Sequence, residues 1–203
     1  MIFRLFRRGP APATIHALYG AIVAQARNPA FYLAFGVPDT AEGRFDLIVL
    51  HLALVCRRLG RETIAVRRTA SLRSPMVDEA PARDLSQHVF DMFCADMDHN
   101  LREMGVGDLS VPKEMRRMGE AFYGRLEVYD RSLAAAGDAE LATALARNVL
   151  AQAVPSAPAR RLAAYVREAA DRLDATPLAA LAGAQFAFPD PDAIELPMGE
   201  VAP

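Results

Sequence analysis

Residues 84–131 constrain the fold more than any other stretch, because two helical hydrophobic patterns meet there at a short glycine-containing turn. In the first half, Leu85, Val89, Phe93, Met97, Leu101 and Met104 recur at steps of three or four, which is one apolar stripe on a helix of 3.6 residues per turn. Asp84 stands where an N-cap belongs, its carboxylate placed to accept from a first-turn N–H. Asp91, Asp96, Asp98, His99, Arg102 and Glu103 fall off the stripe and make an acidic outer face. Gly105 follows at the position where a helix C-terminus favours a left-handed backbone, and Gly107 and Asp108 continue the turn. Ser110 is placed to cap a second helix, Pro112 fits its first turn, and Met115, Met118, Phe122, Leu126, Tyr129 and Leu133 form its stripe up to about Gly137.

A connection this short predicts antiparallel neighbours. Lys113 is then expected near Glu103, and Arg117 near Asp98 or Asp96. Exposed pairs of this kind contribute about 0–1 kcal/mol each. As a set, the charges therefore point to recognition as well as stability. With no β pattern and abundant Ala, Leu and Arg, the chain reads as all-α, a single domain of about seven helices around this antiparallel pair.

The same stretch carries a resemblance. The segment DMDHNLREMGVGD, followed by KEMRRMGEAFYGRLEVYD, resembles the signature of the ubiquinol–cytochrome c chaperone family. The matching residues are Asp96, Asp98, Leu101, Arg102, Glu103, Gly105, Val106, Gly107, Asp108, Phe122, Tyr123, Gly124, Arg125 and Tyr129. HLALVCRRL, His51 to Leu59, is similar to the family's upstream helix. The resemblance implies a non-enzymatic assembly factor for respiratory complex III, without a cofactor, that binds unassembled cytochrome b or complex III assembly intermediates at the inner membrane. It also implies contact with the ribosome where that client emerges. Residues expected to meet the client are Asp91, Asp96, Asp98, Arg102, Glu103, Asp108, Lys113, Tyr123, Arg125 and Tyr129, beside a groove along the helix pair. Gly105 and Gly107 are expected to serve the turn.

The rest of the 203-residue chain divides into a basic and apolar N-terminal segment (1–13), a helical body (14–185) and a Pro-rich acidic tail (186–203). In the first, Phe3, Arg4, Phe6, Arg7 and Arg8 are the pattern of a weak interfacial anchor, arginines at anionic headgroups and phenylalanines at the acyl boundary. Thr14 is placed to cap a helix to about Ala26, and Pro29 opens a short aromatic one ending at Gly36. A long helix from Asp39 or Thr40 is expected to close at Gly60, with Arg57 and Arg58 in its last turn, where cations suit the helix dipole. Residues 61–83 are basic, have no clean period and read as loop. Asp138 is placed to cap a helix to about Val154, two shorter helices follow, and Phe186 and Phe188 are candidates to dock the tail.

Other chemistries fit poorly. A net charge of −2 gives no basic surface for DNA. Cys56 and Cys94 lack metal or redox spacing and read as buried thiols, in keeping with a cytoplasmic chain. Pro10 and Pro12 interrupt the place where a secretory apolar region would begin, and the longest apolar run, 47–56, falls short of the ~20 residues of a membrane span. Asp96, Asp98 and Asn100 imitate the start of a calcium loop, but Leu101 and Gly107 occupy the positions that need Gly and Glu. His51, amid apolar residues, reads as a satisfied core histidine. Two competing readings remain. One is a helical carrier of haem or quinone, with His51, His88 or His99 as the available ligands. The other is a metal-dependent helical enzyme, for which one aspartate-rich helix is present where two are needed.

Overall fold

A computed structural model of the protein describes residues 12–73 and 80–195, with side chains over 12–62 and 83–195. The N-terminal anchor residues Phe3, Arg4, Phe6, Arg7 and Arg8 lie outside the described residues, as does the end of the acidic tail. Eight α-helices follow in order: α1 (Pro12–Ala26), α2 (Pro29–Leu33), α3 (Ala41–Arg73), α4 (Ala80–Glu103), α5 (Val111–Ala134), α6 (Ala139–Asn148), α7 (Ala157–Ala175) and α8 (Leu178–Ala182). A 3₁₀ turn, Pro191–Ala193, comes last. No strand occurs among the described residues, and the protein is one all-α domain.

The helix with neighbours on most sides is α3, which packs against α1, α4, α5 and α7. Its entry is set by Thr40, whose hydroxyl accepts from the Gly43 amide at 3.1 Å. Gly60 does not end it, contrary to the sequence expectation; the helix continues to Arg73. A helical glycine costs about 1 kcal/mol relative to alanine, less than the packing of a helix buried along Leu47–Leu59 returns. Arg57 and Arg58 are consequently mid-helix clamps and not a C-terminal cation pair. Arg57, with a side chain only 5% exposed, donates to Asp130 of α5 at 3.0 Å and Asp174 of α7 at 3.2 Å. Arg58 donates to the Leu173 and Thr176 carbonyls, closing the end of α7.

Two further boundaries move. The fourth helix starts at Ala80, so Asp84 sits inside it and caps nothing; Pro81 falls in the first turn, where its missing N–H is harmless. The sixth ends at Asn148, closed by the Val149 and Leu150 amides on the Leu145 carbonyl. Asp138 precedes it without a side-chain cap bond and pairs instead with Arg167 at 2.5 Å.

The core follows the predicted stripes. Leu85, Val89, Phe93, Met97 and Leu101 are buried, although Met104 is 65% exposed. A polar chain crosses this core. Gln25 Nε2 donates to Tyr165 Oη at 3.0 Å, Tyr165 Oη donates to His51 Nε2 at 2.8 Å, and His51 Nδ1 donates to the Leu47 carbonyl at 2.7 Å. Every polar atom of the imidazole is thus satisfied, and burial pushes its pKa down to about 4, leaving it neutral. The tail docks here: Gln25 also donates to the Pro189 carbonyl, Phe188 packs edge-on against His51 at 5.1 Å, and Ile194 is buried.

Candidate functional site

Where α3, α4 and α5 diverge, they leave a cleft of about 470 Å³. Its floor is Cys56 and Phe122. Phe90, Tyr123 and Leu126 form the apolar walls, and Arg83, Ser86 and Gln87 form a polar rim. The walls are one aromatic cluster: ring centroids are 4.8 Å apart for Phe90–Phe122, 5.4 Å for Phe90–Tyr123 and 5.3 Å for Phe122–Tyr123. Phe93 and Phe45 extend it inward. Stacked aromatics bury large apolar area in fixed geometry, so the cleft is preformed. Tyr123 nevertheless remains 56% exposed. Burial raises the Tyr123 phenol, with Cys56, Cys94 and Asp91 adding to the effect, and burial raises the Cys56 thiol to about 11. Both side chains are neutral at pH 7 and give the cleft apolar area with weak donors.

Beside the cleft, the turn between α4 and α5 is closed by backbone and by one arginine. Gly105 has φ +82°, its amide donates to Arg102 O, and the Val106 amide donates to Leu101 O, both at 3.0 Å. This is the Schellman arrangement expected of a left-handed C-terminal glycine. Gly107 lacks a positive φ; its carbonyl instead accepts from the Ser110 and Val111 amides. Ser110 makes no side-chain cap bond. Arg102 joins Asp98, at 2.7 Å, to Asp108, so it fastens the turn to the helix. The hydrogen bond from Arg102 holds the Asp98 carboxyl below its usual range.

The expected charge pairs between the two helices do not form. Among the described residues no ion pair links α4 to α5. Glu103 pairs with His99, Arg117 with Glu114 and Arg116 with Glu120, each along its own helix. A flexible side chain finds a partner one turn away at lower entropic cost than one across a gap. Lys113 is exposed at the start of α5, and Asp91 is exposed on α4, accepting from Gln87 at 2.7 Å.

Three of the sequence candidates are held by the body. Asp96 accepts from Tyr19 Oη at 2.7 Å, tying α4 to α1. Arg125 forms an ion pair with Asp46 of α3 at 2.6 Å, both side chains 19% exposed, with its guanidinium over Phe45. Burial pushes the Asp46 carboxyl up, against the pull of Arg125. Tyr129 is 1% exposed; its position on the apolar stripe decides its environment and buries it in the core. Sequence reasoning missed Phe90, Gln87 and Arg83. Phe90 widens the α4 stripe beside Val89 and was legible as such. The two polar residues gave no signal before the cleft was seen.

The cleft, its aromatic walls and the glycine turn put an apolar groove beside the stretch that carries the sequence signature. The sequence model of the family described as ubiquinol-cytochrome C chaperone matches residues 33–188. The crystal structure of the Cbp3 homolog from Brucella abortus is similar over 90% of this chain and 92% of that chain, with 34% sequence identity and a TM-score of 0.74. No curated protein matches the chain. The protein belongs to the ubiquinol–cytochrome c chaperone family, and its general role is that of a chaperone in complex III assembly. No helix among the described residues is long and apolar enough to cross a membrane.

Proposed function

We propose that the protein binds unassembled cytochrome b at the inner membrane and that the cleft between α3, α4 and α5 receives an apolar part of that client. Binding proceeds without catalysis and without a cofactor. The supporting observation is the aromatic cleft, whose exposed Tyr123 lies within the family's own signature stretch. Phe90, Phe122 and Tyr123 shield the client, while Gln87 and Arg83 at the rim, with Asp91 bonded to Gln87, hold its polar flanks. Arg102, Asp98, Asp108 and Glu103 keep the turn beside the cleft in shape, and Lys113 is the exposed cation there. Arg125 and Tyr129 act indirectly, by fixing α5 against α3 and α6. The N-terminal residues Phe3, Arg4, Phe6, Arg7 and Arg8 contribute a weak contact with the membrane surface, and the ribosome is the place of encounter. The carrier reading is less favoured: both nitrogens of the buried His51 are engaged, and His88 and His99 are exposed on the surface of α4 and, among the described residues, face no enclosed pocket of the kind a haem needs.

The test is affinity capture from membranes with the native sequence and with Tyr123→Asp. Native protein should retain cytochrome b, and the variant should lose it while keeping its melting temperature, since the side chain is exposed. Equal capture by both would remove the cleft from the account.

A further inference from the structure

A second concavity, of about 440 Å³, lies at the other end of α3. Arg27 follows α1, Tyr32 and Leu33 come from α2, Asp39 precedes α3, and Arg44 and Ile48 lie on it. Two guanidinium groups flank one phenol: Arg44 and Arg27 both pull the Tyr32 pKa down against the burial that raises it. Arg44 is paired with Asp39 at 2.8 Å. Arg27 has no ion pair or side-chain hydrogen bond among the described residues. Asp39 is the one carboxylate among the lining residues, so the hollow carries a net positive charge. At its edge Leu33 is 86% exposed, in a five-residue helix pinned by Asn28 at one end and by Tyr32 Oη on the Ala26 carbonyl.

The exposed apolar residues are not scattered. Phe45 stacks near Phe93, and Cys56 meets Ser86, so α3 and α4 run antiparallel. The end of α4, with Met104 and Leu109 just beyond, therefore lies at the same end of the bundle as the start of α3. Pro158 lies beside Gly36, and Arg161 bonds the Ala34 carbonyl at 3.4 Å, which brings the loop before α7, with Val154, to that end too. Among the described residues, Leu33, Met104, Leu109 and Val154 are four of the five large apolar side chains left exposed, Tyr123 being the fifth. Leu33 ends α2, Met104 and Leu109 lie in the connection from α4 to α5, and Val154 lies in the loop before α7, so the four come from separate parts of the chain. A protein partner would favour one groove, whereas a lipid surface accepts separate insertions.

The geometry points to this end of the bundle as a docking face for an anionic phospholipid membrane, with a lipid phosphate seated between Arg27 and Arg44 and Leu33 inserted beside it. The inference rests on the reading that the protein works at the inner membrane, and it assigns that contact to the described body. Asp98, Asp108, Glu103 and Glu114 at this end are each paired by a neighbouring side chain; Glu42 in the first turn of α3 is exposed and has no ion pair among the described residues, and Arg27 and Lys113 are the cations without an ion pair near the tips.

The full-length protein is mixed with vesicles of phosphatidylcholine alone, or of phosphatidylcholine and phosphatidylglycerol in equal parts, and floated on a gradient. Binding should require phosphatidylglycerol. Arg27→Gln should weaken it about fivefold, as expected for one cation near an anionic surface, and Leu33→Ser about tenfold. Arg131→Gln, at the far end of α5, should leave it unchanged. No binding of the native protein, binding unaffected by Arg27→Gln and Leu33→Ser, or equal weakening by Arg131→Gln would each overturn the proposal. Release by excess inorganic phosphate combined with indifference to Leu33→Ser would assign the hollow to a free anion and overturn the lipid reading. Capture of cytochrome b in detergent separates this from the cleft: Arg27→Gln should retain capture, whereas Tyr123→Asp should lose capture and still float with the vesicles.

Discussion

His51 makes the native state sensitive to acid in a way that can be worked from the structure. Its ring is fully buried, bonded at both nitrogens, and its pKa falls from the ordinary 6.5 to about 4. Below 6.5 the unfolded chain takes up a proton that the native ring refuses. The contribution is therefore fully present above pH 6.5 and is lost as pH falls toward 4. At about 1.36 kcal/mol for each pH unit separating the native from the unfolded pKa, the whole effect is about 3 kcal/mol, most of which is gone by roughly pH 4.5. That is a large part of the roughly 5–15 kcal/mol typical of a domain. The assay is urea unfolding followed by far-UV circular dichroism from about pH 7 to about pH 4.5, on the native protein and on His51→Gln. The variant should be less stable at neutral pH, because Tyr165 Oη and Leu47 O lose an ideal partner, yet its stability should fall by about 2–3 kcal/mol less across the window. Subtracting the two curves removes the carboxylates and exposed histidines common to both. Parallel curves would refute the reasoning, since they would mean that the His51 imidazole is protonated as readily in the native as in the unfolded state.

Other perturbations test separate parts of the account. A Cβ at Gly43 would stand 2.0 Å from the Pro38 carbonyl oxygen, so Gly43→Ala should cost about 2–3 kcal/mol by forcing the entry to α3 apart, seen as a lowered urea midpoint. At Gly105 nothing lies within 4 Å, but φ is +82°; Gly105→Ala should cost about 1 kcal/mol, or roughly 2–4 °C in melting temperature, with Gly105→Asn recovering part of it. Arg57→Met removes the clamp on Asp130 and Asp174 and should destabilise by about 2 kcal/mol, below the usual cost for a fully buried pair because both carboxylates stay partly hydrated.

The parts of the fold readable in the sequence were those written in local patterns. The stripe from Leu85 to Leu101 faces the core because its spacing leaves one helical face apolar, and Gly105 takes the left-handed turn because the residues around it fit a helix end. Gly60 misled because a mid-helix glycine carries only a local penalty, while the burial that overrides it comes from α1, α5 and α7, distant in sequence. Arg57 and Arg125 were misplaced for the same reason: their partners Asp130, Asp174 and Asp46 are 73, 117 and 79 residues away. The charged face was read as cross-helix pairing, yet Arg102 and Glu103 found partners along their own helix or in the adjoining turn. Tyr129 belonged at once to the family motif and to the apolar stripe, and the stripe decided its environment. The cleft itself depends on how three helices diverge, which spacing along one chain does not encode, although Tyr123 and Phe122 were already marked.

The most direct test places a photocrosslinking amino acid at position 123 in the cleft, and separately at position 131, exposed on α5 outside it, followed by irradiation of membranes in which complex III is being assembled. The account predicts an adduct with cytochrome b from position 123 and none from position 131. Adducts with unrelated proteins from position 123, or equal labelling of cytochrome b from both positions, would contradict it.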